Sequence, residues 1–384
     1  LVCGSARGEL SQGLFQPPGS FAVEVSLENA ADLRLPARRS AITSLEVVGD
    51  MAVGGTSAEA GLDPFVFAVS LPRRRLERVL DLGTVVAGQR AIQSGFARGR
   101  GGELYAGTMP GRARSGHLIK VSLTRDGIVA EDLGEPVPGE GVFALASDGD
   151  ALFGIAHPSG RFFIHRLRDG HVVVREDTAA SAEHVATYRD FVLEPEDYLC
   201  RRLAVDGKGR VFGSLPINRV FRFTPSTGTL DVLPRELPAV WNRRILGRAD
   251  SWAVRSDGTL YGGSAGDGLL FTLDPDTGEI TNLGSPASVP RLKALAFAGD
   301  GMLYGLAGAA PQHSHLFRYE PHTRGFVDLG NPQFPMLSPG VPEGLQWRGF
   351  QLGTLAVSED GRTVVMGDEE VLSQLMVFTV PEAK

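Results

Sequence analysis

The sequence of 384 residues predicts an all-β fold built from one repeated unit of four strands. Two observations support this prediction. Short apolar segments recur along the chain, and the segments between them are rich in turn residues, with 49 glycines and 24 prolines overall. Each copy contains an apolar strand, a Gly/Asp turn, an aromatic–Gly strand, a variable loop, a third apolar strand and a turn that leads to "DLG". The clearest copy runs from Ser251 to Gly284, "SWAVRSDGTLYGGSAGDGLLFTLDPDTGEITNLG".

Seven copies of this unit follow one another along the chain. The apolar centres of their first strands lie 43 to 60 residues apart, at Leu45, Phe96, Leu145, Leu203, Trp252, Leu295 and Leu355. Four-stranded units at this spacing, each burying its faces only against its neighbours, indicate one domain over residues 1–384, a seven-bladed β-propeller. We expect the blades at approximately 42–83, 86–134, 138–174, 198–234, 247–284, 289–330 and 351–381.

The two ends of the chain predict how the ring closes. The seventh copy stops after its third strand, at "LMVFTVP", and therefore lacks a fourth strand. Residues 21–28, "FAVEVSLE", form a predicted strand that belongs to no copy. Pairing this strand with the seventh copy completes the last blade and removes an exposed sheet edge.

Composition narrows the range of partners. The net charge is −7 and no lysine-rich block is present, which argues against binding to nucleic acid. No run of eighteen apolar residues is present, so no membrane-spanning helix is predicted. The basic residues are 34 arginines and only four lysines. A GC-rich genome produces such a bias, but the planar guanidinium is also suited to carboxylate ligands. We expect a monomer.

The first residues and the cysteines bear on location and cofactors. The chain begins at Leu1 rather than Met, and "LVCGS" is similar to a lipoprotein cleavage site, so we expect export to the periplasm or the medium. Cys3 and Cys200 are too few for a disulfide framework and lack the spacing of metal ligands. We therefore expect no cofactor, and a structural or site cation stays open.

The propeller prediction places certain polar residues on one face. The first and third strands of every blade start on the same face, around the mouth of the central channel, where such folds usually bind ligands. The residues at these starts include many arginines, and the long linkers on this face add aromatic residues. The candidate ligand-binding residues are Arg90, Arg161, Arg201, Arg219, Trp241, Arg248, Arg291, Trp347, Arg348 and Gln351.

This set of side chains favours an anionic ligand that contains rings. Arginine binds carboxylates and aromatic faces stack on sugars, so we expect an acidic polysaccharide or oligosaccharide that contains uronic acid. A base that removes the proton beside the carboxylate would then cleave the chain by β-elimination. His157, at the end of a second strand, is the first candidate for this base, and His117 is the alternative. Tyr188 is a candidate acid or second base.

Other interpretations stay open. His157 precedes Pro158 in a loop and has a purely structural explanation, while His165 lies at a position that is apolar in other blades and is expected in the core. A glycoside hydrolase would need two facing carboxylates, for example Glu140 with Asp267, Asp368 or Glu369. The propeller would also serve as a non-catalytic module that binds glycans or proteins, and a polar rim without a specific ligand is the simplest alternative.

Several segments resemble a known group of enzymes. "GELYAGTMPG", "ALFGIAHPSGRFFIHRL", "GTLYGGSAGDGLLFTLDP" and "WRGFQLGTLAV" are similar to segments of the bacterial and fungal seven-bladed propeller lyases that act on uronic-acid polysaccharides, including ulvan lyases and rhamnosyl-glucuronate lyases. The resemblance extends over residues 40 to 381, and much of it consists of turn and strand motifs that are common to all propellers. It implies elimination by His, Tyr and Arg at the mouth, here His157, Tyr188 and Arg161.

Overall fold

The computed structural model describes residues 14–15, 19–25, 40–240, 243–310, 312–335, 346–348, 351–370 and 374–380. Within them, the strands form seven sheets around a ring, each built on four antiparallel strand positions, and the sheets of blades 2 and 6 contain five and six strands in all. The predicted seven-bladed β-propeller is therefore confirmed. The strands of blades 1 to 3 are Ile42–Val48, Met51–Thr56, Phe65–Ser70 and Arg75–Asp81; Gln89–Ile92 with Ala97–Arg98, Leu104–Pro110, Leu118–Leu123 and Ile128–Asp132; and Gly141–Ser147, Ala151–His157, Phe162–Arg166 and Val172–Arg175.

Blades 4 to 6 repeat the same order. Their strands are Ala204–Val205, Val211–Leu215, Arg219–Thr224 and Thr229–Val232; Ala249–Val254, Leu260–Ser264, Leu270–Leu273 and Ile280–Gly284; and Leu292–Phe297, Leu303–Ala307, His315–Glu320 and Gly325–Pro335. The last strand of blade 6 also pairs with Leu14–Phe15 in parallel and with Gln346–Arg348 in antiparallel orientation. The sequence did not predict these two additions.

Blade 7 closes the ring with the N-terminal strand. Phe21–Glu24 pairs antiparallel with Gln374–Thr379, and this strand pairs in turn with Thr363–Asp368 and then Leu352–Val357. The predicted closure is confirmed, with a strand shorter than expected: it ends at Glu24, and residues 26–28 lie outside the described residues.

The aromatic–Gly motif has a packing explanation. Gly154 on the second strand of blade 3 lies directly opposite Phe163 on the third strand. A Cβ atom at Gly154 would lie 2.1 Å from Cζ of Phe163, so the aromatic ring covers the glycine and needs its missing side chain. The same relation joins Gly54 with Phe67, Gly213 with Phe221, Gly262 with Phe271, and Gly305 with Phe317. The repeat in the sequence is therefore a repeat of one packing contact.

The "DLG" motif closes the outer end of a blade. In blade 2, Oδ1 of Asp132 accepts a hydrogen bond from the N–H of Gly134, and in blade 6 Asp328 accepts one from Gly330. Gly134 has a φ of 91°, a left-handed conformation that favours glycine. This turn brings the fourth strand to an end and directs the chain to the next blade.

The linker between blades 3 and 4 contains the two α-helices, Ala182–Asp190 and Pro195–Tyr198. The rings of Tyr188 and Tyr198 stack with centroids 4.0 Å apart, and both pack against Met109 and Phe143 of blades 2 and 3. These contacts hold the second helix on the face where the first strands begin. Short 3-10 helices occur at Leu82–Thr84 and Arg244–Leu246, and no helix in the described ranges is long and apolar enough to cross a membrane.

Candidate functional site

The first strands of all seven blades line a central channel with a cavity volume of about 210 Å³. Most of the lining is small or apolar, and its charged residues are Glu46, Arg202 and Lys293. Arg202 extends from blade 4 towards blade 2, because its NH1 lies 3.4 Å from the carbonyl oxygen of Gln93. The channel is therefore polar at the end where the strands begin.

A recurring β-bulge decides which side chains reach this end. In six blades the first strand shifts register by one residue against the second strand, close to its start. A bulge leaves one residue unpaired and changes the direction of its side chain. The residues skipped by the pairing are Thr43, Arg90, Phe143, Asp250, Lys293 and Gly353.

Asp250 binds two arginines from adjacent first strands. Its Oδ1 accepts a hydrogen bond from Nε of Arg248 at 2.8 Å, and its Oδ2 accepts one from Nε of Arg291 at 2.7 Å. Asp250 is only 1% exposed and Arg248 only 4%. Burial alone would raise the pKa of Asp250, but Arg248 and Arg291 outweigh it and hold this pKa well below its usual range. Asp250 is therefore ionised at every pH near neutrality.

A second ion pair joins the adjacent blades 6 and 7. Nζ of Lys293 lies 2.5 Å from Oε2 of Glu369, which follows the second strand of blade 7. Glu369 packs on the first strand of its own blade, because a Cβ atom at Gly353 would lie 2.1 Å from its Cδ. Burial raises the pKa of Glu369, but Lys293 and Arg201 outweigh it and lower this pKa overall.

Arg201 and Arg202 complete the cluster without an ion pair of their own. Among the described residues, no carboxylate lies within 4 Å of either guanidinium, although Asp250 and Glu369 lie within electrostatic range. Burial and repulsion between the two guanidinium groups lower the pKa of Arg202 to about 10, and burial also lowers that of Arg201. Five basic side chains thus share the two ionised carboxylates; we call these seven residues, Arg201, Arg202, Arg248, Asp250, Arg291, Lys293 and Glu369, the channel-mouth cluster.

Asp368 lies beside this cluster and is completely buried. Its Oδ1 accepts a hydrogen bond from the N–H of Glu370 at 2.8 Å, whereas its Oδ2 has no partner in the described parts of the chain. Burial raises the pKa of Asp368 to about 7, and the neighbouring Glu369 and Glu370 add to this effect. Asp368 therefore adds only a partial negative charge near neutral pH.

His157 lies at the edge of the mouth, under the second helix of the linker. Its Nε2 is 2.9 Å from Oε1 of Glu196, within ion-pair distance, and this buried nitrogen has no other partner among the described residues. Its ring packs on Phe143 with centroids 5.5 Å apart, and its peptide bond to Pro158 is cis. NH2 of Arg90 lies 3.5 Å from the same oxygen of Glu196.

Two predicted basic residues are already occupied by neighbouring carboxylates. NH2 of Arg161 donates to Oε1 of Glu140, and NH1 of Arg161 lies 3.4 Å from Oε1 of Glu176. His117 has Nδ1 2.9 Å from Oδ1 of Asp132, the carboxylate of the "DLG" turn. The same pair recurs in blade 6 between His315 and Asp328, which indicates that His117 stabilises its blade. Both predicted side chains therefore have carboxylate neighbours, and their roles in binding or catalysis stay predictions.

Tyr188 also lies in a different environment from the one expected. It is 1% exposed, and its hydroxyl accepts a hydrogen bond from the N–H of Ile217 at 2.7 Å. Burial raises its pKa. In this position Tyr188 anchors the linker, and its role as an acid or second base stays a prediction. His165 is 5% exposed, in agreement with the expected core position.

The other candidates differ in their positions. Arg219 is exposed at the start of the third strand of blade 4, and Nε2 of Gln351 donates to the carbonyl oxygen of Gln312 at 2.7 Å. Trp241 lies outside the described residues. Trp347 and Arg348 belong to a described strand, but their side chains lie outside the description.

Sequence reasoning found Arg201, Arg248 and Arg291 and missed Asp250, Lys293 and Glu196. Asp250 and Lys293 occupy bulges, where the alternation of a regular strand no longer gives the direction of a side chain. Glu196 belongs to a helix in a linker, and no periodic pattern predicts where such a linker folds. Elsewhere, the described residues contain no group of three His, Cys, Asp or Glu side chains arranged to hold a metal ion.

Comparison with known proteins shows the fold. No protein-family model matches the sequence, and no curated protein matches it. A catalytically inactive variant of virginiamycin B lyase from Staphylococcus aureus, solved with quinupristin, is similar with a TM-score of 0.63 and 12% identity over 94% of this chain and 100% of that one. The RRP9 WD40 repeats have a TM-score of 0.62 and 12% identity over 95% and 100%. An extracellular domain of a hybrid two-component system from B. thetaiotaomicron has a TM-score of 0.59 and 13% identity over 92% and 39%. The chain is thus similar in fold to a lyase, to WD40 repeats and to an extracellular domain.

Proposed function

We propose that this protein binds a carboxylate-bearing saccharide at the channel mouth. The observation that supports the proposal best is the excess of basic side chains over carboxylates in the channel-mouth cluster. Arg201 and Arg202 lie in this cluster without a carboxylate partner among the described residues. Buried charges are normally paired, so a cluster with surplus positive charge is suited to an anionic ligand.

The expected strength of this attraction follows from elementary electrostatics. Two unit charges about 4 Å apart interact by about 4 kcal/mol at an effective dielectric constant near 20. A carboxylate beside Arg201 and Arg202 would also offset the repulsion from neighbouring arginines that, after burial, lowers the pKa of each guanidinium group. Hydroxyl groups of the sugar ring would then reach Gln351 at the rim of the mouth.

The test compares two arginines on the same face. Arg202→Gln removes a guanidinium that has no carboxylate partner, so no anion is left unpaired, while Arg219→Gln removes an exposed guanidinium outside the channel. We expect the wild-type protein and Arg219→Gln to bind glucuronate oligosaccharides in calorimetry. Arg202→Gln should bind at least about tenfold more weakly, because it loses one charge-assisted contact with the ligand. The same oligosaccharides with reduced carboxyl groups serve as ligand controls. Absence of binding to any uronate, or equal binding by both variants, would contradict the proposal.

β-Elimination is a second candidate function, favoured by the position of His157, whose Nε2 lies 2.9 Å from Oε1 of Glu196 at the edge of the mouth. In this reaction Nε2 accepts the proton from the carbon next to the uronate carboxylate. The electrons of this C–H bond form a C=C bond with the neighbouring carbon, and the bond from that carbon to the glycosidic oxygen breaks. The imidazolium then donates the proton to the leaving oxygen. The basic residues at the mouth would stabilise the negative charge that develops on the carboxylate.

This candidate is tested by its product. The wild-type protein is expected to release unsaturated uronate ends that absorb ultraviolet light, and His157→Gln is expected to bind the same oligosaccharide without releasing them. If a panel of uronate polysaccharides gives no absorbing product with the wild-type protein, elimination is excluded and the binding proposal stands on its own assay.

A further inference from the structure

We propose that the channel holds a single anionic group of the ligand, so that the protein recognises the uronate end of a saccharide chain rather than a uronate in its interior. This inference rests on the proposed function. It concerns how the ligand enters the site, and three features of the described residues support it.

The first feature is the size of the channel. Its volume of about 210 Å³ is below the range of about 300–1,000 Å³ that is usual for pockets enclosing drug-sized ligands. The space is therefore suited to one charged group, with little room for a second ring. Arg202 and Lys293 line this space from blades 4 and 6, on opposite sides of Ser251 and Trp252 of blade 5.

The second feature is the distribution of charge with depth. Arg90 and Arg219 at the rim are largely exposed to water, whereas Lys293 is 6% exposed and Arg248 is 4% exposed. Electrostatic attraction is stronger where water is excluded, so the buried cluster holds an anionic group more firmly than the rim does. NH1 of Arg202 already donates to the carbonyl oxygens of Gln93 and Arg201, and the rest of this planar guanidinium has the geometry of carboxylate recognition.

The third feature is the helix Pro195–Tyr198 above the mouth. Glu196 lies beside Arg90 of blade 2 and His157 of blade 3, and its backbone carbonyl accepts a hydrogen bond from NH1 of Arg248 of blade 5 at 2.5 Å. The stacked pair of Tyr188 and Tyr198 holds this helix in place. The helix thus bridges three blades on one side of the mouth, and a chain lying flat across the mouth would have to displace it.

Together these features favour entry of the ligand end-on. A terminal uronate places its carboxylate in the channel while the rest of the chain leaves on the side of the mouth away from the helix. An interior uronate has a neighbouring sugar on both sides, so one of these sugars would collide with the helix or with Glu196.

The experiment compares three saccharides, two of which are the same oligosaccharide with and without a cap at one end. The probes are glucuronic acid, an oligosaccharide with a terminal glucuronate, and the same oligosaccharide capped at that end by a neutral sugar; glucose is the blank. We expect the first two to bind in calorimetry, and the capped form to bind at least about tenfold more weakly than the uncapped form. Arg202→Gln should weaken the binding of the first two probes. Arg202→Lys keeps the positive charge but lacks the planar guanidinium, so it should recover part of the affinity. Thermal unfolding of each variant checks that it is folded.

The outcomes separate the two proposals. If the capped and uncapped oligosaccharides bind equally well, recognition of the chain end is wrong and the proposed function stands. If only the oligosaccharides bind and glucuronic acid does not, recognition of a single group in the channel is wrong. If none of the three binds, the proposed function itself is overturned.

Discussion

The buried carboxylate of Asp250 gives the sharpest test of the channel-mouth cluster. We consider the replacement Asp250→Asn, which keeps the shape of the side chain and removes its charge. Asp250 is 1% exposed and is bound by Arg248 at 2.8 Å and by Arg291 at 2.7 Å. After the replacement, five basic side chains would share Glu369 as their ionised carboxylate.

The magnitude follows from the cost of leaving buried charges unpaired. Removing one partner of a buried ion pair costs about 3–5 kcal/mol, because the remaining charge stays desolvated. For 384 residues, an unfolding entropy of about 2.1 cal/mol/K per residue corresponds to a change in Tm of about 1.2 °C per kcal/mol. Asp250→Asn should therefore lower the Tm by about 4–6 °C.

The dependence on pH has a definite sign. The pKa of Asp250 is lower in the folded chain than in the unfolded one. Its contribution to stability is therefore fully present above the unfolded value of about 3.9 and is lost as the pH falls through the folded value. The difference in Tm between the wild-type protein and Asp250→Asn should be constant between about pH 5 and 8 and should shrink in acid.

Thermal unfolding measured by calorimetry checks this prediction, with Asp231→Asn as the matched control. Asp231 is 52% exposed and lies 3.4 Å from Arg222, so its loss should change the free energy of unfolding by less than about 1 kcal/mol. Added sulfate should raise the Tm of Asp250→Asn more than that of the wild-type protein, because it replaces the missing negative charge. Equal shifts for Asp250→Asn and Asp231→Asn would refute the view that the cluster depends on this carboxylate.

Three further replacements test the repeat and the titration of the site. Gly154→Ala should lower the free energy of unfolding by about 2–3 kcal/mol, because the new Cβ meets the ring of Phe163 at 2.1 Å; a calorimetric change below about 0.5 kcal/mol would contradict this. His117→Ala should lower the free energy of unfolding by about 1 kcal/mol, because it breaks the contact with Asp132, and should leave uronate binding unchanged. Weaker uronate binding by this variant would show that His117 takes part in the site. Asp368→Asn should stabilise the protein above pH 7 by up to about 4 kcal/mol and have no effect below about pH 4, because a raised pKa makes the ionised form costly in the folded state; denaturant unfolding at both pH values that shows no difference would contradict this.

The fold could be predicted from the sequence because each blade is stabilised by contacts between residues that are close together in the chain. The contact of Gly154 with Phe163 joins residues nine positions apart, and the turn of Asp132 with Gly134 joins residues two positions apart. Contacts this local leave a pattern in the sequence that repeats with the blade. The closing strand was predictable for the same reason, since its absence from the seventh copy was visible.

The site could be predicted only in part because ion pairing between strands leaves no periodic pattern. Arg161 and Arg201 both lie at the start of a strand, yet Arg161 donates to Glu140 and Arg201 has no carboxylate within ion-pair distance among the described residues. The difference depends on which residue the neighbouring loop places opposite each arginine. The bulges at Asp250 and Lys293 add a second obstacle, because they break the alternation from which side-chain direction is inferred.

Arginines with a carboxylate partner and arginines without one have different effects on the stability of the folded chain. An arginine paired with a carboxylate, as Arg161 is, already has its charge compensated, whereas burial and repulsion at Arg201 and Arg202 oppose folding. An anion that binds only the folded state stabilises it by RT ln(1 + [L]/Kd), about 2.7 kcal/mol at a concentration one hundred times Kd. At about 1.2 °C per kcal/mol, this corresponds to a rise in Tm of about 3 °C. Thermal unfolding in the presence of different uronates can therefore rank ligands for the channel before any reaction is assayed, and Arg202→Gln should show a smaller rise in Tm at the same ligand concentration.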